Sequence, residues 1–272
     1  MGKTVSETMP DWRLVRGGPA MDDDRATPVR RLDVEMLRRG LAPSRAQARA
    51  AIEAGKVSVG GVRALKPGQP VRPDTVILAE PAHPWVSRGG IKLAHALDVF
   101  GVAVDGCACL DVGSSTGGFT QVLLARGARR VIAVDVGRDQ LHPSLRADKR
   151  VTSFEATDAR SLTAGMIGEA PLLTVCDASF ISLAKLLGPV LELAAADGQL
   201  IALFKPQFEV GPAHVGRGGI VSSAEAVGPA RQGLEDWLSG QGWSVRGWTH
   251  SPITGGDGNQ EFLLFAKRRV RT

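Results

Sequence analysis

The rhythm of hydrophobic and polar positions changes twice along the chain. From Arg30 to Ala79 the apolar residues come in short helical and strand-like stretches. After Trp85, continuous apolar runs alternate with amphipathic ones. In the first region Leu32, Val34, Leu37 and Leu41 recur near helical spacing, and Gly40 stops that helix. Ser44 stands where it can cap a second helix, Arg45 to Ala54, whose apolar positions are Ala48, Ala51 and Ile52 and which Gly55 ends. Val57–Val59 reads as a short strand leading into a Gly60–Gly61 hairpin turn. Lys66 to Pro73 is a turn-rich connection, and Thr75 to Ala79 returns as a strand. Residues 1–29 are polar and aperiodic and read as a flexible tail.

The second region predicts strands at 108–112, 130–135, 151–155, 172–177 and 199–204, with helices near 89–100, 117–126, 182–196 and 223–240. Runs such as VIAVD and LLTVCD are apolar throughout, as expected of parallel strands buried on both faces. Two further segments, 243–251 and 261–267, read as a strand pair at one edge. Alternating strands and helices define a doubly wound, mostly parallel α/β sheet with its site at the carboxyl ends of the strands. The expected division is a small α+β domain over 30–80, a proline-marked linker over 81–86 with Trp85 packing between the domains, and the α/β domain over 87–269.

Composition adds boundaries. The chain has 272 residues, 43% hydrophobic and 22% charged, enough for a substantial core and unlike a disordered chain. No apolar run approaches the roughly 18–20 residues needed to cross a bilayer, and the N-terminus lacks an apolar signal core. Cys107, Cys109 and Cys176 form no C-x-x-C pair and the histidines are scattered, so no metal site is expected. Unpaired cysteines in apolar strands point to reduced thiols and a cytoplasmic protein. The net charge of +5 is modest, but its distribution is not. Between residues 30 and 66, Arg30, Arg31, Arg38, Arg39, Arg45, Arg49, Lys56, Arg63 and Lys66 face only Asp33, Glu35 and Glu53. Charge alone leaves two readings open, a solvated surface or a footprint for RNA phosphates.

The chemistry begins at Cys109–Thr120, CLDVGSSTGGFT. A strand acquires an acid at Asp111, breaks at Gly113, Gly117 and Gly118, and opens a helix at Phe119, which together make a nucleotide-type cradle. The spacing D-x-G-x-x-x-G-G is not the G-x-G-x-x-G of a dinucleotide site. Acids recur at or just after the next strand ends, as Asp135, Asp158 and Asp177, and Asp135 has the spacing of a ribose-binding acid. The glycine spacing and the lack of a separate substrate domain argue against NAD.

Three resemblances sharpen this. RRLDVEMLRRGLAPSRAQARAAIEAGKVSVGG resembles the S-four-like RNA-binding domain, with Gly60 where that family usually has Asn. The resemblance implies that Arg31, Arg45, Arg49 and Lys56 contact structured RNA, with Arg30 and Arg63 beside them. DVGSSTGGF followed by VDVG resembles the S-adenosylmethionine site of class I methyltransferases, a Rossmann-like fold, and especially the FtsJ-like group. It implies that Asp111, Gly113, Ser114, Ser115, Thr116, Gly117, Gly118 and Phe119 hold the methionine part. Asp135 and Val136 would then take the ribose, and Asp158 and Ala159 the adenine. Lys92 in SRGGIKL, Asp177 in VCDASF, Lys205 in LFKPQFE and Glu261 in NQEFLLF resemble the K-D-K-E tetrad of FtsJ-like 2′-O-methyltransferases. That implies Lys205 as general base, Asp177 positioning it near the methyl donor, Lys92 tuning the site and Glu261 orienting Lys205.

Two arginines outside the small domain fit the same picture. Arg88 precedes the Lys92 helix, where it can meet phosphate or cofactor. Arg217 lies in the glycine-rich Val210–Ile220, readable as a loop that closes over RNA or as a plain surface loop. From Arg30 to Arg269 the chain resembles the TlyA family, which joins an S-four-like domain to an FtsJ-like one. The resemblance implies S-adenosylmethionine-dependent 2′-O-methylation of cytidine in 16S or 23S ribosomal RNA, or in both. Its partners would be ribosomal RNA or subunits, and the expected enzyme is a monomer. The alternatives are a catalytically silent RNA-binding protein, against which the tetrad counts, and a secreted haemolysin, which would need membrane-inserting segments that are not visible.

Overall fold

Apolar alternation sorts the strand side chains of the larger domain onto two faces, both covered by helices. The structure is a computed structural model describing residues 29–269. Apart from Val29, the expected tail lies outside the described residues. The chain separates into two compact units, the first ending at Pro84 and the second beginning at Trp85.

In the first unit β1 (Arg30–Arg31) leads into α1 (Leu32–Arg38) and α2 (Arg45–Glu53). The hairpin β2 (Val57–Val59) and β3 (Val62–Arg63) follows, then β4 (Pro70–Val71) and β5 (Ile77–Ala79). Ser44 caps α2 as expected, its Oγ accepting from Gln47 N at 3.2 Å. Gly40 and Gly55, at φ 69° and 71°, turn the chain out of the two helices in a conformation most residues avoid. The β2 strand pairs with both β3 and β5, while β1 pairs with β4 in a two-residue ladder too short to leave a periodic signature. Leu32, Met36, Ala48, Ile52 and Ile77 make the core.

The second unit opens with α3 (Gly89–Phe100), β6 (Ala108–Val112), α4 (Gly118–Ala125), β7 (Arg130–Val134), α5 (Pro143–Arg146) and β8 (Val151–Phe154). It continues with α6 (Ala164–Ile167), β9 (Leu173–Cys176), α7 (Leu183–Glu192), β10 (Gln199–Phe204) and α8 (Pro206–Glu209). It closes with α9 (Val227–Gly240), β11 (Trp243–His250) and β12 (Phe262–Arg268). The seven strands run in the order β11-β12-β10-β9-β6-β7-β8. Strands β8, β7, β6, β9 and β10 are mutually parallel, and β12 is antiparallel to both β10 and β11. The two final strands do pair, but β12 is inserted between β10 and β11, so only β11 stands at the edge.

Ile201 and Leu203 of β10 face a cluster built with Leu93 and Leu97 of α3 and Val122 and Leu123 of α4. Leu200, Ala202 and Phe204 face the opposite cluster with Leu187 and Val190 of α7 and Leu234 and Leu238 of α9. That is a doubly wound α/β sheet with both faces buried. All three cysteines are buried and free, and burial pushes the Cys176 thiol up to about 12. Trp85 belongs to the second unit, where its ring packs so closely on Gly90 that a Cβ there would lie 2.3 Å from Trp85 Cγ.

Candidate active site

Strand order reverses between β6 and β9, where open α/β sheets bind ligands. The glycine turn after β6 meets the end of β9 there. At Gly113, φ is 79° and a Cβ would stand 2.8 Å from the backbone oxygen of Asp177, so only glycine lets the strand ends approach. Gly118 is equally constrained, since a Cβ would sit 2.1 Å from Ser87 Oγ. Gly117 differs from its neighbours. A Cβ on it would meet Leu145 Cδ1 at 2.3 Å, so this glycine faces the protein interior rather than the ligand side.

Asp111 also turns inward. Its carboxylate is 0% exposed, Oδ2 accepts from Thr120 Oγ1 at 2.6 Å, and it lines neither cavity of the site. Burial is the main force pushing this carboxyl up to about 7, with the nearby charges of Asp177 and Asp135 adding to it. Neither Asp111 nor Gly117 lines a cavity of the site, and both pack behind the turn.

A cavity of ≈ 470 Å³ opens beside the turn, bounded by Asp135, Val136, Asp158, Ala159, Phe180 and Ile181 among others. Asp135 accepts from Ser115 N at 2.8 Å and from Gly137 N at 2.7 Å, tying the glycine turn to the loop after β7. Asp158 holds Arg160 in a forked ion pair, Nε to Oδ1 at 3.0 Å and Nη2 to Oδ2 at 2.6 Å, and these bonds keep its carboxyl below the usual range. Glu155 accepts from Gln140 N and Leu141 N at 2.6 and 3.0 Å and so fixes the loop whose Leu141 packs on Gly117.

The adjoining cavity, ≈ 210 Å³, is lined by Ser87, Gly89, Ser114, Ser115, Thr116, Gly118 and Phe119 together with Asp177, Ser179 and Lys205. Asp177 follows β9 and Lys205 follows β10, and Lys205 Nζ lies 2.7 Å from Asp177 Oδ1. Because β12 runs opposite to its neighbours, Glu261 at its start comes to the edge where the parallel strands end. Glu261 pairs there with Lys92 from the first turn of α3, both side chains being buried. The expectation that Glu261 orients Lys205 is thereby corrected, because the carboxylate is taken by the lysine of α3.

Several residues of the site carried no signal in the sequence. Ser179 Oγ accepts from Lys205 Nζ at 2.8 Å. Phe180 is 90% exposed, holds the left-handed φ of 65° and leans on Phe208 with ring centroids 5.2 Å apart. Glu209 caps α7 through Leu183 N at 2.8 Å, and burial pushes its carboxyl up to about 7. Their only advance mark was position, two or three residues past a strand-end acid or within a turn of a lysine.

The glycine-rich stretch is folded into two short 3-10 turns, Pro212–His214 and Arg217–Gly219, with a bridge between Val215 and Val221. Asn259 holds it, donating from Nδ2 to Gly219 O at 2.8 Å and accepting from Val221 N at 2.9 Å. Arg217 and Arg88 are both exposed.

In the first unit the basic residues are less free than their number suggests. The fully buried Asp33 accepts from Arg31 Nε at 3.0 Å and Arg45 Nη2 at 2.9 Å. Glu35, equally buried, takes Arg38 and Arg39, and those hydrogen bonds, Arg38's foremost, hold its carboxyl down at about 2. Arg30 lies 3.9 Å from Glu35, Lys56 Nζ lies 3.3 Å from Glu80, and the Arg63 guanidinium folds over Gly55. Arg49 is exposed and has no acid partner among the described residues. The described residues contain no group of three or more His, Cys, Asp and Glu able to hold a metal ion, and no helix long and apolar enough to cross a membrane.

A cleft at the switch point of a doubly wound sheet, with β12 inserted antiparallel, defines a ligand-binding α/β protein of the methyltransferase fold. Residues 85–268 match the FtsJ-like methyltransferase family and residues 30–77 match the S4 domain. The 16S/23S rRNA (cytidine-2′-O)-methyltransferase TlyA of Mycobacterium tuberculosis is 45% identical over 88% of this chain and 90% of that protein. Hemolysin A of Brachyspira hyodysenteriae is 36% identical over 86% of this chain and 98% of that protein. A solved structure of a hemolysin-named protein from Streptococcus thermophilus superposes with a TM-score of 0.70 at 39% identity, covering 90% of each chain. The chain belongs to the FtsJ-like methyltransferase family and stands among its TlyA members.

Proposed function

We propose that this protein is an S-adenosylmethionine-dependent methyltransferase acting on the 2′-hydroxyl of a cytidine in ribosomal RNA, 16S or 23S as in the M. tuberculosis relative. The observation that carries the reading is the meeting of Lys205, Asp177 and Ser179 with Gly113 and Gly118 in one cavity. A cofactor cradle and a base share that wall.

The residues suit the cofactor. Gly113 and Gly118 let the turn pack against Asp177 and Ser87 and both line the cavity, Asp135 faces the neighbouring cavity with further acceptor capacity for ribose hydroxyls, and Val136 and Ala159 give apolar cover. The cofactor, when bound, supplies an electrophilic methyl on a sulfonium. Lys205 is the base: its neutral amine takes the proton of the attacking hydroxyl, while Asp177 keeps the amine in place. Lys92, closed against Glu261, brings a second lysine to the same edge of the sheet. Phe180 offers an exposed ring at the cavity mouth on which a nucleobase can stack. Residues 30–80 serve as the RNA-docking domain, joined through 81–86 to the catalytic domain over 87–269. One chain holds the whole cluster, so the catalyst is a monomer in this reading, working in the cytoplasm on ribosomal subunits.

The test is methyl transfer from labelled cofactor to unmodified ribosomal subunits, with the labelled ribose mapped. Wild type should label a cytidine 2′-oxygen, and Lys205→Ala should lose about a hundredfold or more in rate. Failure of the wild type to label any subunit would sink the reading.

A further inference from the structure

We infer that Ser179 is a positioning residue for Lys205, fixing the direction in which its amine lone pair points. The inference rests on the proposed reading for its consequence, but not for its geometry. Lysine carries its amine on four rotatable methylenes and holds no direction of its own. A neutral amine has two N–H bonds and one lone pair. Asp177 Oδ1 lies 2.7 Å from the nitrogen as an ion-pair partner outside hydrogen-bond geometry, and Ser179 Oγ at 2.8 Å is the acceptor of its hydrogen bond. With Asp177 alone, charge holds the amine close but sets no direction, and the lone pair sweeps a wide cone. The Ser179 hydrogen bond supplies the direction the ion pair lacks, and the cavity that Lys205 shares with Gly113 and Thr116 is where an attacking hydroxyl would meet the amine.

The position of Ser179 supports a role beyond packing. It is exposed to both cavities of the site, and among the described residues its hydroxyl bonds to Lys205 alone. The loop that carries it is anchored at its start, where Asp177 N donates to Val112 O at 2.9 Å. It then passes through the left-handed turn at Phe180, whose φ is 65°. Asp177 and Ser179 are therefore delivered by one short segment from β9, while the lysine arrives from β10.

The experiment compares Ser179→Ala, Ser179→Cys and Ser179→Thr for kcat, for KM with ribosomal subunits and for cofactor affinity. Ala removes the acceptor, Cys keeps the size but accepts weakly, and Thr keeps the hydroxyl. The expected result is a fall in kcat of about tenfold to a hundredfold for Ala and Cys, with KM and cofactor affinity unchanged and the rate restored in Thr. An Ala variant as fast as wild type, a loss shared with KM or cofactor affinity, or a Thr variant no better than Ala would overturn the inference. A second readout needs no RNA. With lysine labelled at 13Cε, the two Hε protons of Lys205, assigned by their loss in Lys205→Ala, should give separate NMR signals in wild type and Thr and merge in Ala and Cys. Separate signals in all four proteins would also overturn it. If wild type methylated no RNA, the proposed function would fall while this spectrum still decided the role of Ser179.

Discussion

Lys205 and Glu261 each sit one residue beyond the register match of Phe204 with Phe262, at the same end of an antiparallel strand pair, yet they bind different partners. Glu261 closes on Lys92 and Lys205 on Asp177. The tetrad is two ion pairs, each joining residues remote in sequence.

Breaking one pair should therefore not dissolve the other. Glu261→Gln leaves Lys92 buried without a counter-charge, and losing one partner of a buried pair costs about 3–5 kcal/mol. The expected outcome is a lower Tm for Glu261→Gln, with much of it regained in the double variant Lys92→Met/Glu261→Gln. Thermal unfolding of the three proteins side by side checks this, and equal Tm values for the single and double variants would contradict it.

Asp111 gives stability a slope of unusual sign. A carboxyl raised from 3.8 in the unfolded chain to about 7 in the fold keeps a proton that the unfolded chain has already lost. Stability from this group is full below pH 3.8 and falls as pH rises towards 7, by on the order of 4 kcal/mol. Asp111→Asn should gain on wild type as pH climbs from 5 to 8 in urea unfolding. A difference that stays flat across that range would refute the prediction.

Gly113 and Gly117 should fail in different ways. An alanine at 113 pushes into the backbone of Asp177, whereas one at 117 pushes into the side chain of Leu145. Cofactor binding by calorimetry should disappear in Gly113→Ala and find no rescue. In Gly117→Ala the added methyl meets a flexible side chain, so Leu145→Ala in the same protein should recover part of the lost Tm.

Glu35 works in the opposite direction to Asp111. Held at about 2 against 4.5 unfolded, it contributes about 3 kcal/mol that is complete above pH 4.5 and is lost as pH falls towards 2. Hydrogen exchange in α1 should accelerate between pH 5 and 3.5, beyond the intrinsic change, in wild type and less so in Glu35→Gln.

Arg49 and Arg39 separate binding from folding. Arg39 is spent inside the unit, donating to Glu35 and to the carbonyls of Arg72, Pro73 and Thr75. Arg39→Ala should lower stability. Arg49→Ala should leave Tm unchanged, weaken subunit binding, and reduce the salt dependence of that binding by about one phosphate contact.

The strands of the sheet were readable because burial on both faces leaves unbroken apolar runs, and β6 and β10 fall where those runs lie. The glycine turn and the acids at strand ends were readable because backbone approach and strand polarity restrict residue type at fixed spacing. Pairing was another matter. That Glu261 meets Lys92 follows from the insertion of β12 between β10 and β11, a long-range choice with no local mark. The inward turn of Gly117 and Asp111 depends on Leu145 and Thr120 behind them, and neither differs in sequence from a ligand-facing glycine or acid until those neighbours are placed. The basic surface of the first unit was overcounted for the same reason, since composition cannot tell Arg39, enclosed by carbonyls, from Arg49.

The antiparallel course of β12 also bears on how the protein comes into being. Chains are made from the N-terminus, so the glycine turn, Asp177 and Lys205 all emerge well before Glu261 and the strand that seats it between β10 and β11. A nascent or truncated chain stopping short of Phe262 can hold the cradle but not the closed Lys92 pair. The Lys92–Glu261 pair is therefore the last part of the cluster to form, after every parallel strand of the sheet has been made.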